Sequence, residues 1–285
     1  MITSLFALIK VIIMGVVQGL SEFLPISSSA HLVFTSNLMQ IVAHKPIEDP
    51  TSYDIVLSMM LHIGTLVAVL IFFKEEVINI FNKTMNAIKT KDFSDYEAKL
   101  GLYIILGTLV TVIVASFLSD TAERLMSSPA IVGMLLFVTG WILFFSEKFS
   151  DTIPDKKQEV DLKTSIIMSV AQGLAALPGL SRSGLTIAAG LFSKSDRVAC
   201  ARYSFLLSIP IILGASIIYP LKEIAFSELA SYNWLNIFIG TVVSAIVGYL
   251  CIKYFLDFLG KYSLRVFAYY CFIAGILAVL LFTFI

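Results

Sequence analysis

The sequence predicts an all-α polytopic membrane protein made of inverted-topology repeats, and three observations predict this class. Of the 285 residues, 58% are hydrophobic and only 14% are charged, whereas soluble globular chains carry about 25% charged residues. One polar motif occurs twice, roughly half a chain apart, and the basic residues fall mainly in alternate loops. Lys+Arg and Asp+Glu both number 20, so the net charge of zero indicates no nucleic-acid partner.

Ten apolar stretches follow one another along the chain, and a helix that crosses a bilayer needs about 20 such residues. Two stretches do not fit a full span, because polar side chains interrupt residues 23–42 and because residues 185–192 are too few. We therefore predict that both belong to re-entrant helix hairpins. Lys10 fits an apolar half-helix poorly. The ten stretches are residues 2–20, 23–42, 53–73, 100–118, 130–145, 164–177, 185–192, 198–218, 234–255 and 266–285.

A motif of helix-breaking and polar residues appears in both halves of the chain. The segment VQGLSEFLPISSSA at 17–30 resembles AQGLAALPGLSRSG at 171–184, and their glutamines lie 154 positions apart. Both run from Gln-Gly-Leu through an apolar turn to a proline, and then to serines that open a new helix. This shared order indicates a duplication. We predict one membrane domain over 1–285, with repeats at about 1–145 and 164–285.

The distribution of basic residues predicts the orientation of the repeats. If each motif enters and leaves the membrane on one side, residues 74–99, 146–163 and 253–265 share a side and carry 12 lysines and arginines. The loops at 43–52, 119–129 and 219–233 then share the other side and carry three. The positive-inside rule makes the first group cytoplasmic. The first hairpin then opens outward and the second inward, as an inverted repeat requires.

The two hairpins are predicted to meet near the membrane midplane and to form an anion site there. Pro25 ends the first half-helix, and serines 27–29 are suited to cap the next one. Pro178 and Ser181 repeat this arrangement in the second hairpin. Each half-helix N-terminus offers free N–H groups and a partial positive charge, which suits phosphate. Gly15, Gly19 and Gly173 are interpreted as close-packing positions.

Charged and amide side chains beside this site indicate a phosphate ligand and a cation. Arg182 supplies a permanent positive charge with donors matched to phosphate oxygens. Glu22 follows Gln18 by four residues, so both lie on one helix face. A carboxylate next to phosphate repels it unless a divalent cation, Mg²⁺ or Ca²⁺, bridges the two. The alternatives are an Arg182–Glu22 ion pair that only joins the hairpins, and a protonated Glu22 bonded to the backbone.

Hydroxyl and imidazole groups complete the predicted site. His31 follows Ser28 by about one helical turn, so both are expected to point toward the site. His31 is a candidate general acid or base, or nucleophile, with packing as its alternative. Ser28 and Ser181 are the candidate nucleophile and phosphate ligand, with helix capping as theirs. His62 is interpreted as structural or lining and His44 as a loop residue. Further phosphate-binding candidates are Ser27, Ser29, Ser183 and Thr186.

Three segments together resemble the undecaprenyl-pyrophosphate phosphatase family of the bacitracin-resistance type. They are GVVQGLSEFLPISSSAHL at 15–32, LPGLSRSGLTIAAG at 177–190 and RYSFLLSIPIILGAS at 202–216. The resemblance implies removal of the terminal phosphate from a C55 isoprenyl diphosphate, which recycles the carrier for cell-wall precursors. It also implies divalent-cation dependence and a plasma-membrane protein whose active site opens to the extracytoplasmic side.

The resemblance extends to single residues. Glu22 matches the second acid of the family's E/Q-x-x-x-E motif, and Gln18 stands at the first position, where it removes one charge from the implied metal site. The family's catalytic and phosphate-binding positions are matched by Ser28, His31, Ser181 and Arg182. The nucleophile stays open among Ser28, His31 and water.

Two rival functions follow from the same residues. A transporter or flippase of an isoprenyl phosphate lipid would also use broken helices at the midplane, but it needs no nucleophile beside a base. Another class of membrane lipid phosphatase uses two histidines, and no histidine follows Arg182 in this chain. The expected partners are the isoprenyl diphosphate lipid and the membrane, with a second copy of the chain as a candidate.

Overall fold

The computed structural model describes residues 2–44, 46, 50–223, 229 and 232–284. Within these residues the chain forms twelve α-helices and no β-strand. The helices are α1 Ile2–Ser21, α2 Ser28–Val42, α3 Ser52–Phe72, α4 Lys74–Thr90, α5 Tyr96–Ser116, α6 Ser119–Met126, α7 Pro129–Ser150, α8 Leu162–Leu174, α9 Arg182–Phe192, α10 Arg197–Glu223, α11 Trp234–Leu259 and α12 Arg265–Thr283.

Six of the described helices, α3, α5, α7, α10, α11 and α12, are long and apolar enough to cross a membrane. They confirm the predicted class, an all-α polytopic membrane protein. In contrast, α2, α8 and α9 contain 15, 13 and 11 residues. At 1.5 Å per residue they reach only about 17–22 Å, less than the roughly 30 Å hydrocarbon core. Their re-entrant course stays a prediction.

Two segments predicted as connecting loops contain helices, so those predictions were wrong. Residues 74–90 form α4, which packs against α5 through Ile80, Thr84 and Ala87. These three positions follow helical spacing, but the lysines and glutamates around them obscured it. Residues 119–126 form α6, which packs against α7. Parts of the predicted loops 43–52 and 219–233 lie outside the described residues, and α10 continues to Glu223.

The helices pack in corresponding pairs. The first hairpin packs on α11 through α1, and the second packs on α5 through α8. Likewise α3 contacts α11, α10 contacts α5, and α7 packs along α12. Replacing α1 by α8, α3 by α10 and α11 by α5 converts the α1–α11 contact into the α8–α5 contact. The same replacement converts the α3–α11 contact into the α10–α5 contact. The division into two duplicated repeats stays a prediction, and this exchange is what such a duplication would produce.

Close approach between these helices depends on glycine. A Cβ atom at Gly15 would lie 2.6 Å from the carbonyl oxygen of Gly240, and one at Gly19 would lie 2.8 Å from that of Ser244. At Gly173 it would lie 2.5 Å from the Cβ of Val114. The prediction that these glycines permit close helix packing is therefore confirmed.

Two contacts fix the first hairpin in place. Phe23, in the turn after α1, is fully buried and meets the ring of Phe205 on α10 edge-on, with centroids 5.2 Å apart. Lys10, which fitted an apolar half-helix poorly, has its Nζ atom 2.6 Å from the Oδ1 atom of Asp54 in the first turn of α3. The lysine therefore has a charge partner.

Candidate active site

The turns of the two hairpins touch each other. The first turn joins α1 to α2, and the second joins α8 to α9. The backbone N–H of Gly179 in the second turn donates to Ser29 Oγ of the first hairpin at 3.3 Å. The hydroxyl of Ser183, also in the second hairpin, donates to the carbonyl oxygen of Leu24 in the first turn at 2.9 Å. These two bonds bring the starts of α2 and α9 to one place.

Both helices begin in the same way. Ser27 and Ser181 are their N-caps, and each side-chain oxygen accepts a bond from the backbone N–H three residues on, at 3.3 Å and 3.1 Å respectively. Ser28 and Arg182 are consequently the first residues of α2 and α9. Because a helix N-terminus carries a partial positive charge, two such ends at one place favour an anion between them.

The first turn holds an unusual backbone conformation. Ser27 has φ 69°, a region that non-glycine residues seldom adopt. Gly179, in the second turn, has φ 98°, a conformation that glycine adopts without steric cost. Bonds to neighbours hold Ser27, since its carbonyl oxygen accepts from the Nδ1–H of His31 at 2.8 Å. Strained residues of this kind cluster at functional sites.

Glu22 lies at the centre of the cluster, with only 6% of its side chain exposed. Its Oε1 atom accepts a bond from Arg182 Nη2 at 2.7 Å. Its Oε2 atom accepts one from the hydroxyl of Ser28 at 2.7 Å and one from Gln18 Nε2 at 3.0 Å. The structure therefore contains the Arg182–Glu22 ion pair that was the alternative interpretation, and the same pair brings the candidate catalytic residues of both hairpins together.

His31 is not paired with Ser28 in the way that their spacing suggested. The hydroxyl of Ser28 donates to Glu22, whereas His31 uses its Nδ1–H on the carbonyl of Ser27. A carbonyl oxygen only accepts, so the neutral ring keeps its lone pair on Nε2. That atom lies 2.6 Å from the hydroxyl of Tyr270 on α12, and the two rings stack 5.6 Å apart.

Several predicted phosphate ligands are engaged in holding the hairpins. Thr186 is fully buried, and its hydroxyl bonds to the carbonyl of Arg182 and to Ser204 Oγ at 2.6 Å. It therefore lies behind the site rather than on its wall. Ser27, Ser181 and Ser183 are also almost fully buried, whereas Ser29 is half-buried. Phosphate binding by these residues stays a prediction.

Three neighbours of the site were not found from the sequence as site residues. Tyr270 is 239 positions from His31, and no local pattern connects them. Thr139 on α7 donates to the carbonyl of Gly179 and accepts from the backbone N–H of Ser181, both at 3.2 Å. His62 on α3 was interpreted as structural or lining, but its Nε2 atom lies 3.7 Å from Glu22 Oε2. Ionisable residues within a span often mark functional sites, and that was the available signal for His62.

Donor atoms for a cation are present beside Glu22. Gln18 is fully buried, and its Oε1 atom has no hydrogen-bond partner. Its amide nevertheless reaches Glu22 through Nε2, so the unpartnered oxygen lies in the same cluster. Among the described residues no group of three His, Cys, Asp or Glu is placed to hold a metal. A cation here would also need coordinating oxygen atoms from the bound phosphate compound and from water.

Comparisons with known proteins identify the family. Residues 11–277 match the family model described as Bacitracin resistance protein BacA. The chain belongs to this family. It is 42% identical over 272 residues to an undecaprenyl-diphosphatase of Halothermothrix orenii, an alignment that covers 95% of this chain and 97% of the relative.

Other BacA relatives are as completely aligned. An undecaprenyl-diphosphatase of Methanobrevibacter smithii is 40% identical over 279 residues, covering 95% of this chain and 96% of the relative. Undecaprenyl-diphosphatase 4 of Bacillus thuringiensis is 33% identical over 273 residues, covering 96% of both chains. With its six apolar helices, the chain is a multi-pass membrane protein of this family.

Proposed function

We propose that this protein hydrolyses undecaprenyl diphosphate to the monophosphate and inorganic phosphate, and thereby recycles the carrier lipid and gives bacitracin resistance. The observation that carries the proposal is the cluster of Glu22, Ser28 and Arg182 at the meeting point of two helix N-termini. Family membership and the names of the relatives support the same activity. No observation on the described residues favours a flippase.

The diphosphate would bind where α2 and α9 begin. Arg182 is 17% exposed and uses one nitrogen on Glu22, and its Nη1 makes only a long 3.4 Å bond to the carbonyl of Ser204. A guanidinium has five N–H donors, so donors remain for phosphate oxygens. These donors and the helix ends would stabilise the negative charge that builds on the phosphorus-bound oxygens during in-line attack.

The attacking group is Ser28, His31 or a water molecule. Ser28 donates to Glu22, which is therefore the base nearest to its proton. His31 presents its unprotonated Nε2 to Tyr270, so an attack by His31, or activation of water by it, requires the tyrosine hydroxyl to leave that nitrogen. Whichever group attacks, the bond from the terminal phosphorus to the bridging oxygen breaks, and the lipid monophosphate leaves. If Ser28 or His31 attacks, water then breaks the new bond from that side chain to phosphorus, releases inorganic phosphate and restores the side chain.

The donor set fits a divalent cation, Mg²⁺ or Ca²⁺, in part. The Glu22 carboxylate and the unpartnered Gln18 carbonyl oxygen would hold it, and phosphate oxygens and water would complete its ligands. When bound, such an ion neutralises diphosphate charge and polarises the phosphoryl group.

The site is proposed to open to the extracytoplasmic side of the plasma membrane. Only three of the 15 residues of α2 are buried, whereas nine of the 11 residues of α9 are buried. The accessible side of the cluster therefore lies along α2, and α2 runs toward the loop that carries few basic residues. Lipid tails would then lie among the apolar helices. A homodimer stays a prediction.

The test is phosphate release from undecaprenyl diphosphate by the detergent-purified protein, with Mg²⁺, with Ca²⁺ and with a chelator. We expect cation-dependent release by the wild type. Glu22→Gln and Arg182→Ala should each lower kcat by about 100-fold or more, the usual effect of removing a group that stabilises transition-state charge.

Matched controls are Glu159→Gln and Arg124→Ala, which make the same changes at exposed positions and should retain wild-type turnover. Near-normal turnover of either site variant would refute the assignment of the site. Ser28→Ala separates the routes of attack, because substantial remaining turnover would exclude the serine as nucleophile.

A further inference from the structure

We infer that His62 is a ligand of the divalent cation in this site and that it makes the site prefer a transition-metal ion such as Mn²⁺ over Mg²⁺ and Ca²⁺. The inference rests on the proposed function, because it names a further ligand for the cation of the same cluster. His62 lies on α3, outside both hairpins and outside the repeated motif.

The tautomer of the neutral His62 ring follows from its hydrogen-bond partner. Its Nδ1 atom lies 2.8 Å from the carbonyl oxygen of Ser58, one turn earlier on α3. Because a carbonyl only accepts, Nδ1 carries the proton and the neutral ring has its lone pair on Nε2. This arrangement, in which one ring nitrogen donates to the backbone, is how metal-binding histidines are commonly oriented.

The lone pair of His62 faces a carboxylate. Its Nε2 atom lies 3.7 Å from Glu22 Oε2, which is too far for a hydrogen bond. With metal–ligand bonds of about 2.1 Å, two ligands of one ion lie roughly 3–4 Å apart. Two electron-rich atoms at this separation are favourable only if a proton on Nε2 or a bound cation lies between them.

Gln18 provides an independent observation. Its side chain is fully buried, its Nε2 donates to Glu22 Oε2, and its Oε1 has no partner. A half-turn of the amide exchanges these two atoms. The turn would bring Oε1 beside Glu22 as an oxygen ligand and would move Nε2 to the place where Oε1 now has no partner. A cation beside Glu22 would then bond to the oxygen. Gln18, Glu22 and His62 then form a site of two oxygens and one nitrogen.

This donor set determines the kind of cation. Mn²⁺ accepts oxygen ligands as Mg²⁺ and Ca²⁺ do, but as a transition-metal ion it binds imidazole nitrogen more strongly than they do. His62 is 31% exposed at its side chain, so an ion and its remaining water or phosphate ligands have access to it. Because Gln18 is uncharged, the site attracts a cation less strongly than it would with a second carboxylate. The stronger bond that nitrogen makes to a transition metal offsets this loss.

The experiment uses the full-length purified protein and Mn²⁺ alone, measured by pulsed electron paramagnetic resonance. We expect the wild type to show coupling of Mn²⁺ to a directly bound imidazole nitrogen. His62→Gln should lose that coupling and bind Mn²⁺ about 10-fold or more weakly. The ratio of the Mg²⁺ dissociation constant to the Mn²⁺ dissociation constant, measured by competition, should be smaller in the same variant than in the wild type.

The other two histidines supply the controls. His44→Asn changes a residue at φ 54°, a conformation that asparagine tolerates, and it should keep the nitrogen coupling. His31→Asn should keep it too, because both nitrogens of His31 face other groups. Coupling that persists in His62→Gln would overturn the inference.

The inference and the proposed function fail in different ways. Mn²⁺ bound by the wild type through oxygen alone, or phosphate release without any cation, would leave His62 and Glu22 as an ion pair only. In both cases the phosphatase activity stands and the inference falls. Nitrogen coupling in a protein that releases no phosphate would refute the phosphatase and leave the metal site.

Discussion

At the scale of single residues, His31 is held by two groups at once. Ser27 accepts its Nδ1–H, and Tyr270 covers its Nε2 with a hydroxyl and its face with a ring. The tyrosine is half exposed, so its side chain has room to move. Tyr270 is thus a positioning residue for the imidazole, acting from a helix at the far end of the chain.

This contact predicts the effect of Tyr270→Phe. The ring stays and the hydroxyl is lost, so Nε2 of His31 loses a hydrogen bond while the stacking remains. The hydroxyl fixes the orientation of the imidazole before it leaves Nε2, so we expect kcat to fall about 5- to 10-fold, as for the loss of one hydrogen bond of about 1 kcal/mol or slightly more, with little change in KM. We also expect faster modification of His31 by diethyl pyrocarbonate, followed by mass spectrometry with His44 as the internal reference.

Tyr269→Phe is the control for that experiment. The Tyr269 ring packs against Phe144 on α7 and Phe272 on α12 and not against His31, so this variant should leave both kcat and the reactivity of His31 unchanged. Equal behaviour of the two variants would exclude the positioning role.

Residue types and short spacings were sufficient to select Glu22, Ser28, Arg182 and Gln18, since each lies within a polar motif in an apolar chain. The hydrogen-bond partner of each residue was not predictable. Ser28 and His31 are one turn apart, yet Ser28 bonds to a residue before its own helix and His31 to a residue on α12. These hydrogen-bond partners depend on which distant helix packs against the motif.

At the scale of helices, glycines allow the backbones of α1 and α3 to pack directly against α11. Gly64 on α3 is the tightest example, because a Cβ atom there would overlap the carbonyl oxygen of Thr241. Gly214 on α10 has nothing within 4 Å of an added Cβ. The two positions therefore form a matched pair of helical glycines, one packed and one free.

Alanine substitution at these glycines should have opposite effects. We expect Gly64→Ala to destabilise the fold by about 1–3 kcal/mol through overpacking. Gly214→Ala should stabilise it by up to about 1 kcal/mol, because alanine is the better helix former. Thermal unfolding in detergent measures both. An unchanged transition for Gly64→Ala would mean that α3 and α11 separate easily.

The helix α4 shows why the connector predictions failed. Its buried positions, Ile80, Thr84 and Ala87, form one narrow stripe against α5. Ion pairs from Lys83 to Asp95 and Glu97 tie the helix to the start of α5. A stripe of three residues among lysines and glutamates is a weak pattern in sequence, and only the packing partner makes it a helix.

At the scale of the whole molecule, the two hairpins are chemically alike at their tips but not in their surroundings. Both α2 and α9 begin with a capping serine, and each turn bonds to the other. However, α9 is enclosed by α7, α8 and α10, whereas α2 packs mainly on α1 and α7. This asymmetry leaves most of α2 exposed and most of α9 buried.

The predicted orientation can be tested with single cysteines. The three native cysteines, Cys200, Cys251 and Cys271, are buried and should react little. Ser127→Cys should be labelled by a membrane-impermeant maleimide in intact cells, and Asp155→Cys only after permeabilisation, since both positions are exposed and lie in loops of opposite basic content. The reverse pattern would place the opening of the site on the cytoplasmic side.

The sequence by itself determined the membrane class, the broken helices and the polar residues of the site, because each depends on composition or on local backbone chemistry. A long apolar run, a proline and a capping serine act through neighbours in the chain. Only the tertiary structure decided that Tyr270 and His62 join the site, that Ser28 pairs with Glu22, and that α2 rather than α9 is accessible. These depend on helix packing between residues far apart in the chain, which no local pattern specifies.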